Sequence, residues 1–273
     1  MKKKYLAMMC AAAMLSTALV GCGNNNAETT SGTDASTDDA AVTTVESGKL
    51  VMSTNAQFPP YEMVADGEGF NGTGFEGIDI EIANAIAEKM GLELVVNNMG
   101  FDACLLAVQN GGSDIAMAGI TVNEERLVSM DFSNSYANGV QAVIVAEDSA
   151  IKSLDDLAGK MIGGQRATTG VIYATDEFGE EFVTAYDDAA IAVQALLGGK
   201  IDCVIIDQAP AKSYVEANPG LKLLDTEYAN EDYAIAVNKG NTAMLDAVNA
   251  ALAELTEDGT VGAIVEKYIP AEG

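Results

Sequence analysis

Two arginines stand in this 273-residue chain, Arg126 and Arg166, and every other basic side chain is a lysine. With 41 acidic residues against 14 basic ones, a solvated surface cation is met as lysine, so an arginine asks for a reason. A planar guanidinium grips a carboxylate through two parallel hydrogen bonds, a geometry that an ammonium does not reproduce. Arg126 closes the run GITVNEER, Gly119–Arg126, in which Asn123 is placed to cap a short helix. The plain alternative for Arg126 is a surface ion pair with Glu124 or Glu125. Asp207 is the second candidate. It ends the apolar run IDCVIID, and its plain alternative is a helix cap ahead of Pro210. Histidine and tryptophan are absent, which removes His-based triads, imidazole bases and histidine metal ligands together. No cofactor and no metal site is expected.

GTGFEG, Gly72–Gly77, matches the glycine fingerprint of dinucleotide-binding units, with a helix after it and Glu93 downstream. That fingerprint also needs a β-strand before its first glycine, and the residues ADGEGFN that precede it are turn chemistry. The stretch DGEGFNGTG does not have the carboxylate spacing of a calcium loop either.

Positioning such groups takes a scaffold, and the apolar periodicity supplies one. Leu50–Thr54 reads as a strand. Ile78, Ile82, Ile86 and Met90, with Ala83 and Ala87, form a helical stripe that ends at Gly91. Strands at Leu92–Val96 and Ile115–Ala118 enclose a helix at Asp102–Asn110. The second half repeats this pattern: a capping box at Ser153–Asp156, a strand at Lys160–Ile162, a helix at Asp188–Leu197, a strand at Ile201–Ile206, a helix opening near Pro210, and helices at Thr242–Glu257 and Val261–Tyr268. Alternation of this kind predicts an α/β fold with mainly parallel sheet and flanking helices.

AVQNGGSDIAMAG and ALLGGKIDCVIID share one design: helix, Gly-Gly, then Asp and an apolar strand. Aligning Asp114 with Asp202 sets Gly119 opposite Asp207, both at the C-terminal ends of equivalent strands, where open α/β sheets bind ligands. Both candidates would then stand on loops, so replacing either should cost binding and leave folding intact.

The N-terminus indicates the compartment. Lys2, Lys3 and Lys4 precede an apolar run to Val20, and Leu19-Val20-Gly21-Cys22 has the form of a lipoprotein cleavage box. Residues 1–21 are thus expected to be a signal peptide and Cys22 the lipidated residue. Residues 22–47 are small and polar and read as a flexible tether with a reach of roughly 25–30 Å. Removing the three leader lysines from the 14 basic residues leaves 11 against 41 acidic ones, a balance that excludes nucleic acid and places any membrane contact on the lipid. Cys104 and Cys203 lie in apolar runs and are expected as buried free thiols.

FPPYEM, GFEGIDIEIANAIAEKMG, AMAGITVNEER, MDFSNSYANG, LDDLAGK and IDCVIID, taken in order, carry a resemblance over residues 49–270. The chain is similar to the polar-amino-acid-binding proteins of ABC importers, extracellular solute-binding protein family 3, in a lipoprotein form. The resemblance implies a two-lobed periplasmic-binding-protein-like fold joined by two crossing strands, near Gly139–Ala146 and Glu227–Ala236. Lobe 1 would span 48–140 and 235–273, and lobe 2 would span 141–234. It implies a monomer on the outer face of the cytoplasmic membrane, with an amino acid and importer subunits as partners and no catalysis. Carried over residue by residue, Arg126 would clamp the α-carboxylate with help from Ala118, Gly119, Thr121, Thr168 and Thr169. Asp207 would take the α-ammonium. Asn55, Phe58 and Phe101 would line the side-chain pocket, with Tyr61 and Gln165 near it. Many relatives carry Asp at the Asn55 position, so Asn55 weakens the case for a strictly basic ligand. Two alternatives use the same fold: a cyclohexadienyl-dehydratase-like enzyme, which needs an acid or base in the cleft beyond Asp207, and a ligand-sensing domain.

Overall fold

The computed structural model describes residues 42–225 and 227–270. The expected signal peptide, Cys22 and most of the expected tether lie outside the described residues. The tether's last residues do not: Val45 N–H donates to Asp114 Oδ1 at 2.8 Å, so the chain is held a few residues before the expected start at 48.

β1 (Lys49–Thr54) is buried from Leu50 onward on both of its faces, as a strand covered by helices on two sides must be. The chain then makes a small antiparallel sheet of β2 (Gln57–Phe58), β3 (Glu62–Val64) and β4 (Phe75–Glu76). GTGFEG is the turn and edge of this sheet. Its last glycine, Gly77, opens α1 (Ile78–Lys89), and a side chain there would strike the Tyr61 carbonyl. The expected stripe of α1 is buried together with Ile80, Met90 only in part, against the helices at Thr242–Glu257 and Thr260–Tyr268. Each such isoleucine contributes roughly 1.5–3 kcal/mol. β5 (Glu93–Asn98), α2 (Phe101–Gln109) and β6 (Ile115–Ala116) follow. β6 is shorter than the apolar run suggests, because the chain turns at Met117–Gly119. α3 (Glu124–Ser129) is capped by Asn123, whose side chain accepts from the Arg126 amide.

β7 (Met130–Ala146) is 17 residues long and leads into β8 (Ile162–Gln165), α4 (Thr169–Phe178), β9 (Val183–Tyr186), α5 (Ala189–Leu197), β10 (Cys203–Asp207), α6 (Gln208–Ala217) and β11 (Leu221–Leu223). The capping box forms as expected, on a single 3₁₀ turn at Leu154–Leu157, and Asp188 caps α5. Pro210 sits at the third residue of α6, still within the first turn, where no backbone donor is missed. β12 (Ala229–Asn238), α7 (Thr242–Glu257) and α8 (Thr260–Tyr268) complete the fold.

Nine strands join in one sheet in the order β5-β1-β6-β12-β7-β10-β8-β9, with β11 also paired to β7. The outer pairs β1–β5, β1–β6, β8–β10 and β8–β9 are parallel, whereas every pair involving β7 or β12 is antiparallel. The sheet is thus mixed, parallel in each lobe and joined through two long crossing strands. Separate cores form on either side: one around α1, α7 and β1, another around α5, β10 and α6. Phe58 packs against both. Cys104 and Cys203 are buried and free; burial pushes the Cys203 thiol up to about 12, which leaves it unreactive.

Candidate functional site

Between the two lobes lies a narrow cavity walled by Asn55, Phe58, Glu62, Phe101, Ala118, Gly119, Thr121, Arg126, Gln165, Thr168, Thr169 and Asp207. Eleven of these are residues that the sequence singled out. β1 and β2 deliver Asn55 and Phe58, and the turn after β6 delivers Ala118, Gly119 and Thr121. Gly119 stands at φ +54°, and a methyl there would press to 2.6 Å of the Phe58 ring. The loop between β8 and α4 brings Gln165, Thr168 and Thr169 from the other lobe.

Arg126 is no surface ion pair. It is 5 % exposed, lies over the Phe101 ring with its carbon 5.4 Å from the centroid, and donates from Nη1 to the Thr121 carbonyl at 2.7 Å and from Nη2 to the Ala167 carbonyl at 2.9 Å. The second bond crosses the cleft. Ala167 accepts it from a positive φ of 65° that few alanines adopt. Burial lowers the guanidinium's affinity for its proton, and the charges of Glu231, Asp207 and others oppose that. It stays charged.

Asp207 occupies the cap position of α6, yet its side chain caps nothing. Its oxygens accept from Gln141 Nε2, at 2.7 Å, and from the Tyr233 hydroxyl. Gly139, beside them on β7, has no room for a side chain against that hydroxyl. Gln141 Nε2 also donates to Glu231 Oε2 at 2.9 Å, and the Thr121 hydroxyl donates to the same oxygen at 3.0 Å. Gln141 and Glu231 lie on β7 and β12, so the crossing strands carry a buried polar chain from Thr121 of one lobe to Asp207 of the other. Burial, then the Glu231 charge, raises the Asp207 carboxyl well above its ordinary range; the Gln141 bond and the Arg126 charge pull the other way. A second contact crosses the cleft from Gln165 Nε2 to Asn55 Oδ1 at 2.9 Å. The two lobes are closed on each other.

Three corrections follow. Tyr61 does not face the cavity: it is buried behind Phe58 and Tyr233, with ring centroids 5.6 and 5.2 Å away. Its neighbour Glu62 takes the wall position instead, so Asp207 is not the only carboxyl group there. Arg126 and Asp207 are also tied into buried hydrogen bonds, so replacing either will disturb the fold as well as the site. The residues that sequence reasoning missed are Glu62, Gln141 and Glu231. Glu62 could have been found from its place next to Tyr61 in FPPYEM; the other two carry no local pattern.

Asp79, on the first turn of α1, supports this wall. Its Oδ2 accepts from the Gly119 amide at 3.0 Å and the Tyr136 hydroxyl at 2.9 Å, fixing the Gly119 turn. Burial raises its carboxyl to about 6 against those two bonds. Arg166 is exposed and paired with Asp187 at 2.8 Å, away from the cavity. A larger groove lies on the outer face of lobe 1, but its charged lining residues, Lys89 and Glu254, pair at 3.0 Å and leave no net charge to seat an ion.

The arrangement suits a small zwitterion: a fixed cation from one lobe, a fixed acid from the other, neutral donors between. The comparisons decide the family. The model of the bacterial extracellular solute-binding proteins, family 3, matches residues 50–271. The chain belongs to that family. Among its relatives are a probable histidine-binding protein of Neisseria gonorrhoeae, 30% identical over 99% of this chain and 97% of that protein, and the arginine-binding extracellular protein ArtP of Bacillus subtilis, 30% identical over 99% of both chains. Crystal structures of ArtJ from Geobacillus stearothermophilus, an arginine-, lysine- and histidine-binding protein, superpose with a TM-score of 0.76 at 31% identity, covering 82% of this chain and 96% of that one. Family 3 proteins bind solutes outside the cytoplasm. Among the described residues no helix is long and apolar enough to cross a membrane, and no three or more Cys, Asp or Glu side chains cluster as metal ligands would.

Proposed function

We propose that the protein captures a free polar L-amino acid between its lobes, without chemistry, and delivers it to the membrane subunits of an ABC importer. The observation that carries this reading is the placement of Arg126 and Asp207 on opposite lobes of one closed cavity. Arg126 holds the α-carboxylate with Ala118, Gly119, Thr121, Thr168 and Thr169, and Asp207 holds the α-ammonium. Each charge-assisted bond contributes roughly 1.5–3 kcal/mol where water is excluded. Residues 48–140 with 235–273 and residues 141–234 act as the two closing bodies. The protein works as a monomer, lipidated at Cys22 and held on the outer face of the cytoplasmic membrane.

The ligand is neutral or cationic, since the cavity wall holds one basic side chain and the α-carboxylate uses it. A thermal-shift screen of the twenty L-amino acids tests this, because a ligand that binds only the folded state raises Tm. The largest shift is expected from a polar neutral or basic amino acid; a largest shift from glutamate or aspartate overturns the reading. One observation favours a second reading, a dehydratase-type enzyme: Glu62 is a buried acid on the cavity wall and fit to donate a proton. Turnover of prephenate by the purified protein would establish it, and its absence beside amino-acid binding leaves capture alone.

A further inference from the structure

β7 runs between β10 and β12, and three polar side chains meet on one face of these strands. Gln141 on β7 is the ladder partner of Asp207 on β10, so the two side chains stand side by side. Glu231 on β12 is the ladder partner of Gly139, two residues before Gln141 and therefore on the same face. Gly139 keeps that corner open: a Cβ there would come within 2.7 Å of Asp207 Oδ1. Gln141 is 1 % exposed, and its Nε2 donates one hydrogen to each acid, to Asp207 Oδ2 at 2.7 Å and to Glu231 Oε2 at 2.9 Å. The amide's orientation follows from this pair, because turned over it would set a carbonyl oxygen against two carboxyl groups. Its Oε1 lies against Gly170 of α4, where a Cβ would be 2.9 Å away. Gln141 itself stands behind the cavity wall that Asp207 helps to form.

We propose that Gln141 is a positioning residue for the ligand's α-ammonium: without touching the ligand, its amide holds the Asp207 carboxyl in the plane that receives the ammonium and keeps Glu231 bonded at its side. This rests on reading the cavity as an amino-acid site with Asp207 at the ammonium end. The Tyr233 hydroxyl holds Asp207 by Oδ1, a single bond about which the carboxyl is free to turn, and the Gln141 bond at Oδ2 stops that rotation. The side chain at 141 has to donate twice and carry no charge of its own. A lysine there would pair with Asp207 and cancel the charge that the ammonium needs. An apolar residue would leave two neighbouring buried acids short of a donor. Burial and the Glu231 charge already push the Asp207 carboxyl up, toward a protonated group that draws no cation. A neutral amide with two hydrogens meets both demands.

Calorimetric titration of the full chain with L-arginine, L-histidine and L-glutamine tests this, each beside the acid that lacks its α-amino group: δ-guanidinovalerate, imidazolepropionate and glutaramate. The quantity read is the ratio of the acid's Kd to the amino acid's, taken for the pair whose amino acid wild type binds most tightly. In wild type that ratio should be at least about tenfold, since one member of a buried ion pair is missing. Gln141→Met keeps the size and removes the donors, and should shrink the ratio at least about fivefold by weakening the amino acid more than the acid. Gln141→Ala, which admits water to both carboxyl groups, gives the same comparison if Gln141→Met does not fold. A smaller change in the ratio, with both members of the pair weakened alike, overturns the proposal, because Gln141 then supports the fold and nothing more. A wild-type ratio under about tenfold overturns Asp207 as the partner of the ammonium, and the proposal with it, and leaves amino-acid capture standing. Failure of every amino acid to bind overturns both.

Discussion

Replacing Arg126 separates the site's two roles. The guanidinium bonds two backbone carbonyls, one on each side of the cleft, and lies over Phe101. Arg126→Ala leaves both carbonyls short of a donor and removes the cation that tempers Asp207 and Glu231. Breaking one partner of such a buried set costs about 2–5 kcal/mol. At roughly 2–4 °C per kcal/mol for a domain of this size, the ligand-free Tm should fall by ~4–20 °C. A bound carboxylate would also lose its counter-ion, another 2–5 kcal/mol or so, which is about thirty- to several-thousand-fold in Kd. Arg126→Lys should recover most of the Tm, because an ammonium can still reach one carbonyl, but little of the affinity, because it cannot make two parallel bonds. Calorimetric titration with the amino acid that gives the largest thermal shift, paired with ligand-free melting curves, measures both halves. If Arg126→Ala binds within threefold of wild type, Arg126 is a strut between the lobes and not the carboxylate clamp.

Three further outcomes are expected. The Asp79 carboxyl titrates near 6 in the folded protein against 3.8 for the ordinary group, so its contribution to stability is full below about pH 4 and is lost as pH rises through about 6. That loss is on the order of 3 kcal/mol, and ligand-free Asp79→Asn should show a shallower fall in Tm between about pH 4 and 7 than wild type; parallel curves would refute the assignment. Wild-type protein made in a lipidating host should enter the detergent phase while Cys22→Ala stays in the aqueous phase, and equal partitioning removes the anchor. Saturating ligand should reduce the radius of gyration in small-angle scattering if the free lobes part about β7 and β12, or leave it unchanged if the free form is already closed; an increase contradicts closure on the ligand.

Much of this was legible in the residues because some signals are local. Rare arginines in an acidic chain, an Asp at the end of an apolar strand and cap residues such as Asn123 and Asp188 each declare themselves within a few positions. The strands of the second half were harder to bound: β8 starts at Ile162 and runs to Gln165, because GGQ pairs with β9 despite its glycines. Only the apolar end of β7 read as a strand. Its first half, Met130–Asn138, mixes Asp, Ser and Asn with Met130, Phe132 and Tyr136, and it is extended because β12 pairs with it, a partner some hundred residues away. Glu62 and Glu231 were lost among 41 acidic residues, since nothing in an isolated Glu tells whether the fold will bury it. Tyr61 and Glu62 differ by one position, and which of them faces a cavity is decided by how β3 meets β4 and α1.

The buried charges explain why such a site persists. Glu62, Asp79, Asp207 and Glu231 are all buried in or just behind the cavity, against one buried cation, Arg126. Well-packed apolar side chains of the same volume would generally be more stable, because desolvating unpaired charge costs several kcal/mol per group. Burial raises the Glu62, Asp79 and Asp207 carboxyls, which eases part of that cost. On the proposed reading a zwitterion brings one carboxylate for Arg126 and one ammonium for Asp207. A ligand with a second carboxylate would add to the excess of acid around the cavity. The same excess of acid that weakens the empty cleft thus makes closure depend on what fills it, and it sets the order in which amino acids should compete.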